Sequence, residues 1–326
     1  MWALENRTPF AAERTFTRDR EGAEVLLVAV RATFDVVRGS ALRVADLQSP
    51  VRRVAAHREE PARSSLVHES DFAPTKRATD VLLLGTAQAR EGKPTIAVEV
   101  SLRVGAWHKR LFAFGDRRWG RSLGSWRLTD PEPFTRMPLV YERAFGGAEH
   151  AANPVGVGAT RPSSLADTLV PNLEDPDALL RAPNDEPRPM CFSPIAREWP
   201  VRRHHAGTFD DAWRRERRPL LPNDFDDAFW QAAPSDQRAE IVGGEEVELL
   251  GVDPLGPLRF TLPRPSLSVR AKIAGRFIEQ SPVVHTALFE PDEHRVTLVY
   301  ASAFACHHDL YAFERVAVQT DSVGLS

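Results

Sequence analysis

Hydrophobic positions follow strand-like patterns at both ends of the chain and lose their period in the middle. Val25 to Val37 is dense in Val, Leu, Thr and Phe, shows no helical spacing and stops at Gly39. Asp80 to Ala87 is a short apolar run of the buried-strand kind. Ile96, Val98, Val100, Leu102 and Val104 alternate with Ala97, Glu99, Ser101 and Arg103. Successive side chains on a strand point to opposite faces, so this stretch has one face in a core and one in water. Leu111 to Phe114 continues the pattern, and Gly115-Asp116 supplies a turn. The pattern returns after residue 240. Glu245 to Val252 follows Gly243-Gly244, and Leu258 to Leu262 lies between prolines. Val283 to Phe289 and Arg295 to Tyr300 flank Glu290-Pro291-Asp292-Glu293, a hairpin loop. Tyr311 to Val318 reads as a last strand.

The middle obeys another rule. Nineteen of the 26 prolines fall between Pro131 and Pro265, so regular elements there are short. Proline fixes φ and lacks an N–H, which stops long strands and helices. Two short helices fit: Asp210 to Arg218, with Asp210 or Thr208 as N-cap and Pro219 as stop, and Asp226 to Ala233, capped by Asp224 or Asp226 and ended by Pro234. Ser164 to Leu169 is a weaker third candidate. Phe192, Trp199, Phe209, Trp213, Phe225, Phe229 and Trp230 put too many aromatics here for a disordered linker. The expectation is a mainly β fold of antiparallel, sandwich-like sheets with a long, irregular, Pro-rich middle and a few short helices. Residues 1–130 form the N-terminal β-rich part, 131–240 the irregular part and 241–326 the C-terminal β-rich part. No repeat of fixed period is visible.

Composition narrows the function. The 326 residues are 42% hydrophobic and 27% charged, which excludes disorder over most of the chain. A net charge of −3 argues against a general nucleic-acid binder, although the positive charge present is almost all arginine. Cys191 and Cys306 are too few for a disulfide framework and read as buried free thiols in a reducing compartment. The first residues carry a charge at Glu5 and no apolar run typical of a signal peptide. The longest apolar stretch, Val25 to Val30, is far short of a bilayer span, so no membrane association is expected. The expected address is the cytoplasm.

Chemical motifs are sparse. Gly120-Arg121-Ser122-Leu123-Gly124 matches G-x-S-x-G, whose serine needs a strand-to-helix turn above a parallel sheet. Here Asp130-Pro131-Glu132-Pro133 follows closely and no helix can start, so a glycine turn exposing a serine is preferred. Cys306-His307-His308, with His285 or His294, has zinc-like donors. On a strand, however, Cys306 and His308 share a face that His307 leaves, and no second pair completes four ligands. His204-His205 is weaker, because neighbours on a strand diverge. Gly146-Gly147, Gly156 and Gly158 lack the lysine of a phosphate loop. The acidic pairs Asp210-Asp211, Asp226-Asp227 and Glu245-Glu246 read as caps or solvent-facing groups, and nothing marks one as acid and base. No cofactor is expected. The run Trp213-Arg214-Arg215-Glu216-Arg217-Arg218 is basic, but arginines near a helix C-terminus also complement its dipole.

Several phrases are more distinctive. They include Ser65-Leu66-Val67-His68-Glu69-Ser70-Asp71-Phe72, Lys76 with Thr79-Asp80-Val81, and Tyr141-Glu142-Arg143-Ala144-Phe145-Gly146-Gly147. Further on come Asn153-Pro154-Val155-Gly156, Pro171-Asn172-Leu173-Glu174, and Ala206-Gly207-Thr208-Phe209-Asp210. Leu221-Pro222-Asn223-Asp224-Phe225-Asp226 and Asp236-Gln237 complete the set. In this order and spacing the chain, over nearly its whole length, resembles the bacterial DUF2169 family, whose members sit beside type VI secretion spike genes. It departs at Cys191-Phe192-Ser193-Pro194, where a glycine-flanked phenylalanine is usual, and at Tyr300, where tryptophan is common.

The resemblance implies one family-wide domain and a non-enzymatic adaptor. Such a protein holds a toxic type VI effector and helps load it onto the spike, through the VgrG protein or its PAAR-repeat cap. The family supplies no catalytic residues to carry over. Trp, Tyr and Arg dominate interface energies, which makes Trp199, Trp213, Arg214, Arg217 and Trp230 the candidate contacts. A hydrolase or modifying enzyme encoded in the same cluster, resting on Ser122 and Cys306-His307-His308, or a structural spike-associated component, is the alternative.

Overall fold

In a computed structural model, which describes residues 3–61, 63–122, 125–159, 165–306 and 310–325, the apolar run after Gly22 becomes a central strand. This strand, Glu24–Asp35, lies in the largest sheet. The strand order is Arg238–Ala239, Thr79–Leu83, Val283–Glu290, Arg295–Ala305, Glu24–Asp35 and Ala11–Arg18, with Arg43–Val44 paired at the end of Glu24–Asp35. Strands from the first and last parts of the chain therefore pair directly, Leu26 opposite Phe304 and Phe34 opposite Val296.

Two smaller sheets and four two-stranded ribbons complete the described architecture. One sheet has the order Leu173–Glu174, Trp107–Phe114, Ala97–Val104, Glu246–Leu250 and Leu258–Thr261. The other runs Ala3–Arg7, Phe313–Thr320, Leu267–Ile273 and Arg276–Gln280. Leu26, Val28, Val30, Ala32 and Phe34 share one hydrophobic core with Val100, Leu102, Val247, Val269, Val316 and Val318. The Phe260 and Phe289 rings meet at 6.4 Å and those of Phe16 and Phe313 at 5.5 Å. The mainly β, sandwich-like reading holds.

The details correct that reading in places. Among the described residues three strand pairings are parallel: Ala3–Arg7 with Phe313–Thr320, Thr79–Leu83 with Val283–Glu290, and the short Phe145–Gly146 with Val157–Gly158. The helix over Asp210 to Arg218 is Asp211–Glu216, N-capped by Asp210. The helix expected over Asp226 to Ala233 is a single 3-10 turn, Asp227–Trp230, because the backbone beyond it goes to a buried staple described below. Of the third candidate, Ser164 lies outside the described residues, and 165–169 hold no helix. A short helix at Pro200–Arg203 carries no clear signal beyond its leading proline.

The second face of the large sheet is also covered. Leu27, Ala29, Arg31 and Thr33 are as buried as the core-facing residues between them. Irregular chain lies over them. Arg31 pairs with Asp71 at 3.1 Å, the Gln48 carboxamide bonds both the N–H and the C=O of Thr33, and Leu288 packs with Ala233. Among the described residues no helix is long and apolar enough to cross a membrane.

Candidate interaction surface

A hundred residues with few ladder hydrogen bonds must satisfy their polar backbone by other means. Here buried side chains do so. Asp80, on Thr79–Leu83, is fully buried. Its carboxylate accepts from Lys76 Nζ at 2.6 Å, Gln231 Nε2 at 2.8 Å and the Ala232 N–H at 2.8 Å. Burial works against its charge, but Lys76 and these donors outweigh it, so the pKa lies below the usual carboxylate value. The Gln231 amide also bonds Arg77 N, Ala78 N and Ala78 O. Gln237 repeats the device: its Nε2 donates to the carbonyls of Val81 and Phe192, and its Oε1 accepts from buried Lys109. Glu69 holds Arg197 at 3.0 Å and Arg202 at 2.7 Å. Burial again opposes the Glu69 charge, and the two guanidinium groups reverse that and lower its pKa.

The distinctive phrases thus map largely onto staples. Asp224 accepts from the Thr208 N–H and hydroxyl, which joins the Gly-Thr-Phe-Asp phrase to the Pro-Asn-Asp-Phe-Asp phrase. Gly207 between them has φ +80°, and a Cβ there would sit 2.7 Å from Asp224 Oδ1. Asn153 donates to the carbonyls of Tyr141 and Phe145, and a Cβ on Gly146 would meet Asn153 O at 2.2 Å. Gly146 and Gly156 therefore serve close approach to Asn153.

The stapled segment shows arginine and aromatic side chains. Trp213 stands on Asp211–Glu216; its ring meets Phe209 edge-on at 4.8 Å, and Phe209 is 51% exposed. Arg214 is exposed and pairs with Asp211. Arg217 donates to Leu221 O and, across to the hairpin tip, to Arg20 O. The Arg20 guanidinium lies 5.8 Å from the Phe225 ring, and Phe225, Phe229 and Trp230 form one cluster at 5.5–5.7 Å. Arg197 covers Trp230 at 5.5 Å. Beyond them a groove of about 470 Å³ is lined by Phe16, Arg53, Phe72, Arg197 and Trp230, with Val54 73% exposed at its rim.

The structure thus links Trp213, Arg217 and Trp230 through the Arg20 hairpin, with Arg214 beside them. Trp199 stands apart: it is 2% exposed and packs edge-on against Tyr141 at 5.1 Å, so it supports the surface from the core. The groove's other wall was not legible. Phe16, Arg53 and Arg197 carry no local signal, and Phe72 appeared only within a longer phrase.

The remaining candidates resolve simply. Ser122 ends the strand Trp119–Ser122, paired antiparallel with Ser125–Leu128, so the backbone makes no strand-to-helix turn; Leu123 and Gly124 lie outside the described residues. Cys191 and Cys306 are buried free thiols. His307 and His308 lie outside the described residues, and among those described no cluster of His, Cys, Asp and Glu could hold a metal. His204 and His205 occupy a 3-10 turn, not a strand, so their rings do not diverge but meet at 3.8 Å.

Fold and surface together define a mainly β protein with a stapled irregular segment laid across its sheets. The chain belongs to a family of uncharacterized proteins conserved in bacteria, DUF2169, whose model matches residues 21–301. No curated protein and no solved structure matches it.

Proposed function

We propose that the protein is a non-enzymatic adaptor that holds a type VI effector and helps load it onto the VgrG spike or its PAAR-repeat cap. The observation that carries this reading is the chain of arginine and aromatic contacts from Trp213 through the buried Phe225 to Trp230 and on to the Phe16–Phe72 groove. Such residues anchor protein partners when a rigid support removes the entropy cost of ordering them. The staples at Asp80, Gln231 and Glu69 provide that support. The resemblance to genes beside type VI spikes names the partner, and a cytoplasmic address follows from an adaptor's need to meet effector and spike before firing.

The test is co-purification of the full chain with the toxin encoded beside its own gene, at mild salt. A stable complex is expected. Trp230→Ala should weaken it by about tenfold or more, as for a hot-spot tryptophan. Arg53→Ala, a change at an exposed residue, should weaken it less while leaving thermal unfolding unchanged. Failure of the wild-type chain to capture either the toxin or the spike proteins overturns the reading.

A further inference from the structure

A second concavity opens where the turn His204–Ala206 faces residues 233–238. It holds about 270 Å³, below the usual range for drug-sized ligands and ample for a tetrahedral oxyanion with water. Its lining holds the guanidinium groups of Arg202 and Arg238 and the imidazoles of His204 and His205, with no carboxylate. Acids stand just outside it, each already in ion pairs: Glu69 with Arg197 and Arg202, and Asp226 with Arg77 at 2.8 Å and His205 at 3.4 Å.

Arg202 is the central group. It is 3% exposed. Its Nε donates to Phe229 O and its Nη1 to Ile195 O, with Glu69 on the same nitrogen. Its Nη2 is buried and has no hydrogen-bond partner among the described residues. A buried guanidinium nitrogen left unpaired is costly, and an oxyanion is the partner its fork geometry suits best. Burial also works against the charges of Arg202 and Arg238. A bound anion would relieve that, and the His204 and His205 rings, 3.8 Å apart, offer N–H donors beside it.

We propose that this pocket binds a phosphate-sized oxyanion through Arg202, Arg238 and the His204–His205 pair. It stands apart from the groove and does not depend on the adaptor reading.

The test is isothermal titration of the full chain with inorganic phosphate, beside thermal unfolding in phosphate and in chloride at matched ionic strength. Saturable binding and stabilisation beyond chloride are expected. Arg238→Gln should weaken phosphate binding by about tenfold, the effect of losing one charge-assisted hydrogen bond, and Arg238→Lys should restore part of it. His204→Ala, at an exposed ring, should weaken it several-fold without loss of fold, and so carries the test if Arg238→Gln does not fold. Imidazole NMR signals of His204 and His205 should move on titration. No saturable response beyond chloride, or variants that respond like the wild type, overturns the proposal.

Discussion

Replacing Asp80 by Asn tests whether the buried staple holds the irregular segment in place. The carboxylate takes three hydrogen bonds, and its ion pair with Lys76 is almost wholly shielded from solvent, with side-chain exposures of 0% and 4%. The amide keeps the shape but presents one end as a donor and removes the charge. Its oxygen can still accept from Lys76 and Ala232, but the NH2 then faces the Gln231 donor, and the Lys76 charge keeps no counter-ion, only the amide oxygen and the Thr286 hydroxyl at 3.1 Å. Leaving one partner of a buried pair uncompensated costs about 3–5 kcal/mol. That is a large part of the roughly 5–15 kcal/mol that stabilises a domain. Lys76→Met should cost a similar amount, and the double variant much less than the sum, because it leaves no stranded charge. Urea unfolding of the four proteins gives the energies. Hydrogen exchange at Gln231 and Ala232 shows whether the segment loosens first. A loss below about 1 kcal/mol for Asp80→Asn, or additive single losses, would refute the reasoning.

Two further outcomes follow from local geometry. Gly207→Ala forces a Cβ against Asp224 and Pro222 at a left-handed φ, so it should cost about 1–3 kcal/mol and make the 207–224 loop sensitive to brief proteolysis; wild-type resistance would be inconsistent with the close approach. His285 is buried, and its pKa is pushed down to about 3 by desolvation and then by Lys76. Above pH about 6.5 both folded and unfolded states carry it neutral; as pH falls further, the unfolded chain takes the proton first, and stability drops until the folded value is passed. Between pH 7 and 4.5 this costs about 2–3 kcal/mol. His285→Gln should lose correspondingly less over that interval, and an equal loss in both proteins would contradict the burial argument.

The sheets were legible where one face meets the core and the other meets water or a second layer. Glu24–Asp35, Ala97–Val104 and the Val283–Ala305 hairpin follow from period and turn chemistry. Ala11–Arg18 and Arg276–Gln280 escaped because they are edge strands without clean alternation; every residue of the latter is exposed or half-buried. Aspartate caps at Asp210 and Asp226 were readable because capping is local. The staples were not. Gln231 reaches Asp80 across 151 positions, and Lys109 reaches Gln237 across 128, distances over which sequence patterning carries no sign of contact. The groove failed for the same reason, its two walls coming from opposite ends of the first 230 residues. His204-His205 was misjudged because reading them as strand neighbours assumed the wrong backbone.

The prolines and arginines answer one physical problem. Each proline keeps its carbonyl and loses its N–H, so a proline-rich segment has more acceptors than backbone donors. Irregular chain adds acceptors that no ladder pairs. A side chain with several donors and no acceptor is then the natural complement, and guanidinium supplies five donors in a fixed fork where ammonium supplies three on a flexible stem. The structure uses it so repeatedly: Arg202 to the carbonyls of Phe229 and Ile195, Arg217 to those of Leu221 and Arg20, Arg117 to Pro171, Arg118 to Asp167 and Arg238 to Ala233. An arginine content that first suggests an acidic ligand is therefore, in large part, the counterpart of the proline content. Exposed arginines outside carbonyl pairing hold carboxylates, Arg53 with Glu13 and Arg214 with Asp211, in weak pairs that can be exchanged for a partner, while Arg202 keeps one nitrogen to spare.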